Sequence, residues 1–223
     1  MTETRAAATA PRTGRPRRFE AEDEVRLLLD AAMLVMSRNG YVDASVADIL
    51  SEANLSTRSF YRHFESKDQL LCALYRREAE NAAARLNARV DAAPSPRAAL
   101  DAWIDEILSL GQHRAKAARV RVLGSPGAMR AAGYAEETRH ASTLLMAPLE
   151  ALLAAGAADG SFPLADPPAD ADLIRSVVWA AAGLTPSRDG ASSRTEMARQ
   201  VRSFCARALG APKAETLSAT PNA

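Results

Sequence analysis

The chain has 223 residues, of which 48% are hydrophobic and 5% aromatic, so it is long enough to bury a sizeable core. Its 28 basic and 27 acidic residues give a formal net charge of +1, so overall charge does not argue for a polyanionic partner. The sequence has no long apolar run, and its two cysteines are too few for a disulfide scaffold. We therefore expect a cytoplasmic protein with no membrane partner, in which Cys72 and Cys205 are buried thiols.

Alanine, leucine and arginine are abundant and aromatic residues are few, which favours helices over a sheet. The predicted fold class is all-α, with about nine helices in two domains. We place the boundaries as follows: a disordered arm at 1–18, a helix-turn-helix domain at 19–66, a larger helical domain at 67–210 and a disordered tail at 211–223.

The arm carries a basic segment, because four arginines occur between Pro11 and Phe19 without an acidic residue. Two interpretations remain open. The segment is either a solvated leader, or Arg15, Arg17 and Arg18 lie along DNA phosphates or enter a minor groove.

Three helical patterns precede the long helix, and the second and third are separated only by a short turn. The first is predicted over residues 20–38, with acidic residues in its first turn and Asn39-Gly40 as its stop. Ser45 is the expected N-cap of the second helix and Ser56 that of the third. Asn54 lies between them, where a left-handed residue is needed. This order of helix, short turn and helix is typical of a helix-turn-helix motif.

The third helix is expected to bury Phe60 and Phe64, which lie one turn apart. The opposite side then presents Arg58, Ser59 and Arg62, with the remaining polar residues on the two flanks: Thr57 and Tyr61 on one, His63 on the other. Residues 54–64 contain no acid. The spacing therefore predicts a polar, cationic surface that faces a partner outside the protein.

Lys67 follows the predicted cap Ser66 and lies in the first turn of the next helix, where the helix dipole disfavours a cation. We predict that Lys67 and this helix N-terminus together hold a phosphate, with a solvated lysine as the alternative. The helix continues to about Val90, which makes it on the order of 40 Å long and able to join two domains.

The second domain is predicted to contain five more helices, at about 97–112, 115–123, 128–155, 169–184 and 194–209. The last two have apolar faces suited to a four-helix bundle with a second copy, although the same faces could pack within one chain. An effector pocket between the long helices is a further hypothesis, with core packing as the alternative for each candidate: Trp103, Ile107, Met129, Met146, Phe162 and Trp179.

These motifs resemble the N-terminal signature of the TetR family of bacterial transcriptional regulators. The matching positions extend over roughly residues 23–75 and include Gly40-Tyr41, Ala44-Ser45-Val46, Asp48-Ile49, Leu55-Ser56, Phe60-Tyr61, His63-Phe64, Ser66-Lys67 and Leu70-Leu71. One departure is Asn54, which stands where glycine is frequent, but asparagine tolerates the left-handed region.

The resemblance implies a DNA-binding regulator, usually a repressor, that binds a palindrome in double-stranded DNA as a homodimer. It also implies that the C-terminal domain binds a small effector and dimerises through its last two helices. Thr57, Arg58, Ser59 and Arg62 correspond to the base-reading face. Ser45, Tyr61, His63 and Lys67 correspond to phosphate contacts. The apolar candidates suggest an apolar effector, and neither a cofactor nor catalysis is expected.

A helical metal protein or enzyme is the alternative. Its support is Glu137 and His140, a Glu-x-x-His pair on one helix face. A di-iron bundle needs two such pairs and two further glutamates. The sequence contains only one pair, which favours the regulator.

Overall fold

The computed structural model describes residues 21–184 and 194–212, and within these two ranges the chain forms nine α-helices, one short 3-10 helix and no strand. The predicted all-α class is confirmed. The basic arm with Arg15, Arg17 and Arg18 and most of the predicted tail lie outside the described residues.

The first four helices form the N-terminal unit and lead out of it: α1 Ala21–Asp43, α2 Val46–Ala53, α3 Thr57–His63 and α4 Lys67–Asp91. The remaining elements build the second domain: α5 Pro96–Gln112, α6 Arg114–Leu123, the 3-10 helix Ala128–Arg130, α7 Tyr134–Asp159, α8 Pro167–Ala181 and α9 Arg194–Ala208.

Two glycines explain where the observed helices differ from the predicted ones. Gly40 has φ 79° and ψ 164°, so the helical path of α1 breaks at the predicted stop, and one further turn follows it. The single helix predicted over 128–155 is wrong, because Gly133 has a left-handed φ of 86° and α7 begins only after it. The residues before Gly133 instead form the 3-10 helix and a turn.

The part of the chain that the structure describes contains two hydrophobic cores. The second core lies among α4, α5, α7, α8 and α9, and it encloses Trp103, Leu149 and Phe162. The first core joins α1 to α4 and includes Leu28, Phe60 and Leu70, but it also contains residues from α6 and the segment after it: Val122, Leu123, Ala128 and Ala131. The helix-turn-helix unit is therefore completed by residues that come much later in the chain.

Among residues 21–184 and 194–212, one helix, Tyr134–Asp159, is long and apolar enough to cross a membrane by length and composition alone. In the structure this helix packs against α4, α5 and α8. Its residues Leu149 and Leu153 are fully buried in the second core, and Glu137 near its start is buried as well. These are features of a core helix in a folded domain.

Candidate nucleic-acid interface

The turn between α2 and α3 is fixed by local hydrogen bonds. Ser45 Oγ accepts from the Asp48 amide at 3.1 Å, and Asp48 accepts in return from the Ser45 amide at 3.2 Å, which makes a capping box. Asn54 has φ 52° and ψ 44°, and the Ser56 hydroxyl accepts from the Ser59 amide. The predicted caps and left-handed turn are confirmed, so α3 follows α2 at a defined angle.

The helix α3 is anchored by its two phenylalanines. Phe60 is fully buried and Phe64 is 6% exposed, and their ring centroids lie 5.9 Å apart. Tyr61 is 61% exposed, and Thr57 and Arg58 are also exposed. A helix of two turns cannot hold itself together in water, so burial of the two rings is what presents the polar face.

Ser59 does not lie on that polar face, contrary to the sequence prediction. It is only 7% exposed, and its hydroxyl lies 3.3 Å from that of Ser56. The reason is the cap of α3. Ser56 Oγ accepts from the Ser59 amide, which brings the two serine side chains together at the start of the helix. The outward surface is therefore formed by Thr57, Arg58 and Arg62 with Tyr61 beside them.

A buried carboxylate on α1 holds the cationic end of α3. Glu24 is 5% exposed and accepts hydrogen bonds from Arg62 Nη1, at 3.1 and 3.3 Å, and from His63 Nε2 at 2.9 Å. The Arg62 side chain is 44% exposed, whereas that of His63 is 11% exposed. Arg62 can thus meet DNA while one end of its guanidinium is fixed, and His63 has little surface to offer a phosphate.

The role of Glu24 was not predicted from the sequence, in which it is one of several acids in the first turn of α1. The signal was its spacing, since Glu24, Leu28 and Ala31 follow the spacing of a buried helix stripe. A charged residue on such a stripe is expected to have a buried partner.

Lys67 has a different environment from the predicted one. Its Nζ donates to the carbonyl oxygens of Tyr41, Val42 and Ala44 at 2.9, 3.0 and 2.9 Å, and it lies 4.6 Å from the Tyr41 ring centroid. A lysine has three donors, and all of them are used here. A phosphate contact by Lys67 stays a prediction, and it requires the exchange of one of these bonds.

Asp68 connects this unit to the segment before α7. Its carboxylate accepts from the Tyr41 hydroxyl and, at 2.8 Å, from the Ala132 amide. These two hydrogen bonds, with the charge of Lys67, hold the pKa of Asp68 below its usual value. Burial, together with the hydrogen bond to Asp68, raises the pKa of the Tyr41 hydroxyl. Cys72 Sγ donates to the Ala132 carbonyl oxygen at 3.3 Å. Both backbone polar groups of Ala132 are therefore bonded to side chains of α4.

Residues 28–74, which contain this assembly, match the family model described as bacterial regulatory proteins, tetR family. The chain has the N-terminal helix-turn-helix domain of the TetR family. This match confirms the resemblance that the sequence motifs predicted for this part of the chain. No curated protein matches the chain significantly.

Solved structures with the same fold cover most of the chain. FadR from Bacillus subtilis in complex with stearoyl-CoA has a TM-score of 0.68 at 16% identity and covers 82% of this chain and 98% of its own. A putative TetR-family regulator from Mesorhizobium loti has a TM-score of 0.70 at 17% identity, with 86% and 98% covered. AibR in complex with isovaleryl coenzyme A and operator DNA has a TM-score of 0.60 at 18% identity, with 81% and 97% covered. At these identities the likeness shows the fold alone.

The candidate effector residues fall in two places. Trp103, Ile107, Met146 and Phe162 are buried in the second core, and Trp179 packs against it with its ring centroid 6.0 Å from that of Trp103. Met129 is 58% exposed in the 3-10 helix and does not belong to that core.

Glu137 and His140, the candidate metal pair, have separate environments. Glu137 is 4% exposed and accepts from Arg76 with both carboxylate oxygens, whereas His140 is exposed. Across the described ranges no three potential ligands of the types His, Cys, Asp and Glu come together. This geometry supplies no assembled metal site.

The cysteines also differ from each other. Cys205 is fully buried, and burial raises the pKa of its thiol to about 11. Cys72 is only partly buried, so the expectation of two buried thiols holds for Cys205 alone.

Proposed function

We propose that this regulator is a cytoplasmic repressor that binds a palindromic DNA operator as a homodimer and is released by a small molecule. The observation that carries the proposal is the exposed face of α3, with Thr57, Arg58 and Arg62 above the buried rings of Phe60 and Phe64. An arginine can fork onto guanine O6 and N7, and each such contact discriminates by about 1–3 kcal/mol.

The exposed polar residues on and beside α3 have distinct parts in this proposal. Arg58 and Arg62 read base edges, and Thr57 supports them. Tyr61 and Ser45 are exposed and placed to contact phosphates. Arg15, Arg17 and Arg18 of the arm add sequence-independent attraction, which depends strongly on salt.

A homodimer is needed because one short helix covers too few base pairs for a specific site. Two large apolar side chains, Leu173 on α8 and Phe204 on α9, are 64% and 50% exposed. A second copy of this chain would cover both if α8 and α9 met their symmetry mates in a four-helix bundle. Leu173→Glu should then give monomers in sedimentation, whereas Met129→Glu, at another exposed apolar site, should leave dimers.

Structures with the same fold support the proposal of a small-molecule signal. Two of the structural neighbours were solved with acyl thioesters of coenzyme A, one of them together with operator DNA. A ligand that binds one conformation of the dimer better than another changes DNA affinity by that difference.

The test is selection of bound genomic fragments by the full-length protein, followed by affinity measurements on a selected fragment and on a shuffled one. We expect Arg62→Ala to weaken binding to the selected fragment by about tenfold or more and to shuffled DNA far less. Arg139→Ala, which removes an exposed arginine of α7, is the control. Equal losses on both DNAs would remove Arg62 from the base-reading set, and failure to enrich any fragment would overturn the proposed function.

A further inference from the structure

A narrow slot opens in the second domain between α4, α5, α6 and α7. Its volume is 120 Å³, and its lining includes Ala79, Ala82, Lys116, Arg119, Val120 and Ala141. Pockets for drug-sized ligands measure about 300–1,000 Å³. A slot of this size receives one short apolar group.

The slot has an apolar interior and a charged edge. Ala79, Ala82, Ala141 and Leu145 are all buried, and three of them are alanines, whose short side chains leave the space open. The charged members are more exposed, since the side chains of Arg85 and Arg119 are 43% and 49% accessible. A bound molecule would therefore place its apolar part inside and its polar part at the edge.

Positive charge is in excess at that edge. Arg85, Lys116 and Arg119 line it together with a single acid, Glu78. Behind them lies Glu106, 4% exposed, which accepts from Lys116 at 2.6 Å, Arg89 at 3.1 Å and Arg85 at 3.5 Å.

Glu106 keeps its charge in this position. Burial raises the pKa of its carboxyl, but the hydrogen bond and charge of Lys116, then Arg89 and Arg85, outweigh burial and lower the pKa overall. The ionised carboxylate holds Lys116 and Arg85 in place at the edge of the slot. Arg119 is held less firmly, because among the described residues its one ion pair is with Glu78, at 3.4 Å.

We propose that the slot binds an anionic amphiphile, a molecule with a short apolar chain and a carboxylate or phosphate head. The chain lies among Ala79, Ala82 and Ala141, and the head pairs with Arg119 and Lys116. Charge-assisted hydrogen bonds to arginine and lysine suit both kinds of head. Binding stands on the slot alone, whereas its effect on DNA rests on the proposed function.

The slot is also joined to the DNA-binding unit through Glu78. This residue is shared between Arg119 at the slot and Arg77, whose Nη2 lies 3.5 Å from it, and Arg77 Nη1 in turn pairs with Asp30 of α1 at 2.7 Å. An anionic head group bound to Arg119 competes with Glu78 for that side chain. The Glu78 carboxylate then pairs more strongly with Arg77. The pairing of Arg77 with Asp30 then weakens, and the contact of α4 with α1 changes.

A second connection runs along α6. Lys116, Arg119 and Val120 line the slot, and the next turn of the same helix places Val122 and Leu123 in the first core. Any shift of α6 that accommodates a ligand must therefore move side chains packed against the helix-turn-helix unit, because close-packed cores transmit displacement.

The binding test is calorimetry on the full-length protein with four probes: sodium hexanoate, hexyl phosphate, hexan-1-ol and inorganic phosphate. We expect at least one six-carbon anion to bind, and hexan-1-ol and inorganic phosphate to bind at least about tenfold more weakly. The stronger of the two anions identifies the head group. Hexan-1-ol binding as tightly as both anions would overturn the proposal, and so would the absence of binding by either anion.

Variants locate the site. Arg119→Gln removes the weakly held cation and Val120→Phe fills the slot, and each should weaken binding of the better anion by about tenfold. Both positions are at least partly exposed, and thermal unfolding verifies that the variants fold. Arg139→Gln, in an exposed pair with Glu136 on α7, is the matched control. Unchanged binding by both slot variants would contradict the assignment.

The coupling test uses Glu78→Gln and a selected DNA fragment. The better anion should weaken DNA binding by the wild type, and in Glu78→Gln it should still bind but change DNA affinity less. Glu136→Gln should behave as the wild type. Anion binding with equal DNA effects in both Glu78 forms would overturn the coupling through Glu78. If the protein binds no DNA at all, the proposed function fails while calorimetry still decides on the slot.

Discussion

The two hydrophobic cores of the molecule differ in how much of the chain each one needs. The first core takes side chains from α1 to α4 and completes itself with Val122, Leu123, Ala128 and Ala131, whereas the second core begins at Ala82 and takes nothing from α1, α2 or α3. The first core therefore depends on residues of the second domain, whereas the second core does not depend on the first three helices. A change in α6 should reach the helix-turn-helix unit, and a change in the first three helices should stay local.

The same contrast holds for the buried charges. Glu24 supports two residues of α3 from within the first unit. Glu106 gathers three cations from α4 and α6 around one carboxylate. Glu24 fixes side chains on the helix that we propose reads DNA, and Glu106 fixes cations at the edge of the slot.

The largest effect is expected for Leu123→Ala, which removes an α6 side chain from the first core. The variant should lose about 3 kcal/mol of unfolding free energy, because a buried leucine leaves a cavity. Urea unfolding measures the loss, and hydrogen exchange should show reduced protection of α1 amides. Leu152→Ala, at a similarly buried site in the second core, is the control and should leave α1 less affected. The reverse pattern would break the one-directional comparison.

Lys67→Met should have the next largest effect. It removes the donor shared by the carbonyls of Tyr41, Val42 and Ala44 and should cost about 2 kcal/mol, since hydrogen bonds from a charged group contribute more than neutral ones. Thermal unfolding measures this, with Arg58→Met on exposed α3 as the control. A stable Lys67→Met protein that has lost only DNA affinity would instead support the phosphate role predicted from the sequence.

Glu24→Gln should act on specificity more than on stability. Losing the carboxylate that fixes Arg62 should lower the ratio of operator to random-DNA affinity by about fivefold. This loss is near the lower limit of the discrimination that one base contact provides. The matched control is Asp23→Asn, whose exposed carboxylate pairs with Arg26. Equal ratios in the two variants would show that Glu24 does not orient a base-reading side chain.

The smallest effect is expected from the pH dependence of Asp68. Its pKa is lowered in the folded protein, so the stabilisation is present above its unfolded pKa of about 3.9 and is lost as the pH falls through the folded value. The effect should stay below about 1 kcal/mol because the group is only partly buried. Urea unfolding between pH 3 and 6 should show the wild type approaching Asp68→Asn at the acidic end. A constant difference across this range would contradict the assignment.

Much of the first unit could be predicted because its determinants are local. The caps Ser45 and Ser56, the left-handed Asn54 and the spacing of Phe60 and Phe64 each act within a few residues, and the structure confirms all of them. The inward position of Ser59 was not predicted, because ideal helical rotation places it outside while packing at the start of a two-turn helix buries it.

The second domain was less predictable because its functional features join distant residues. Helix number and approximate bounds followed from periodicity, but Gly133 divided one predicted helix. The meeting of Arg85, Glu106 and Lys116 depends on how α4, α5 and α6 pack, which a single sequence does not reveal. The candidates for an apolar pocket were chosen by size, and large apolar residues are also what a core selects.

The central claim is that ligand binding in the slot changes the helix-turn-helix unit through α6 and through Glu78. The most direct measurement is hydrogen exchange of the full-length protein with and without the better six-carbon anion. We expect changed protection both around the slot and in α1 amides between Leu28 and Met36, with no such change for hexan-1-ol. Changes confined to α4–α7 around the slot, with α1 unaffected, would contradict it.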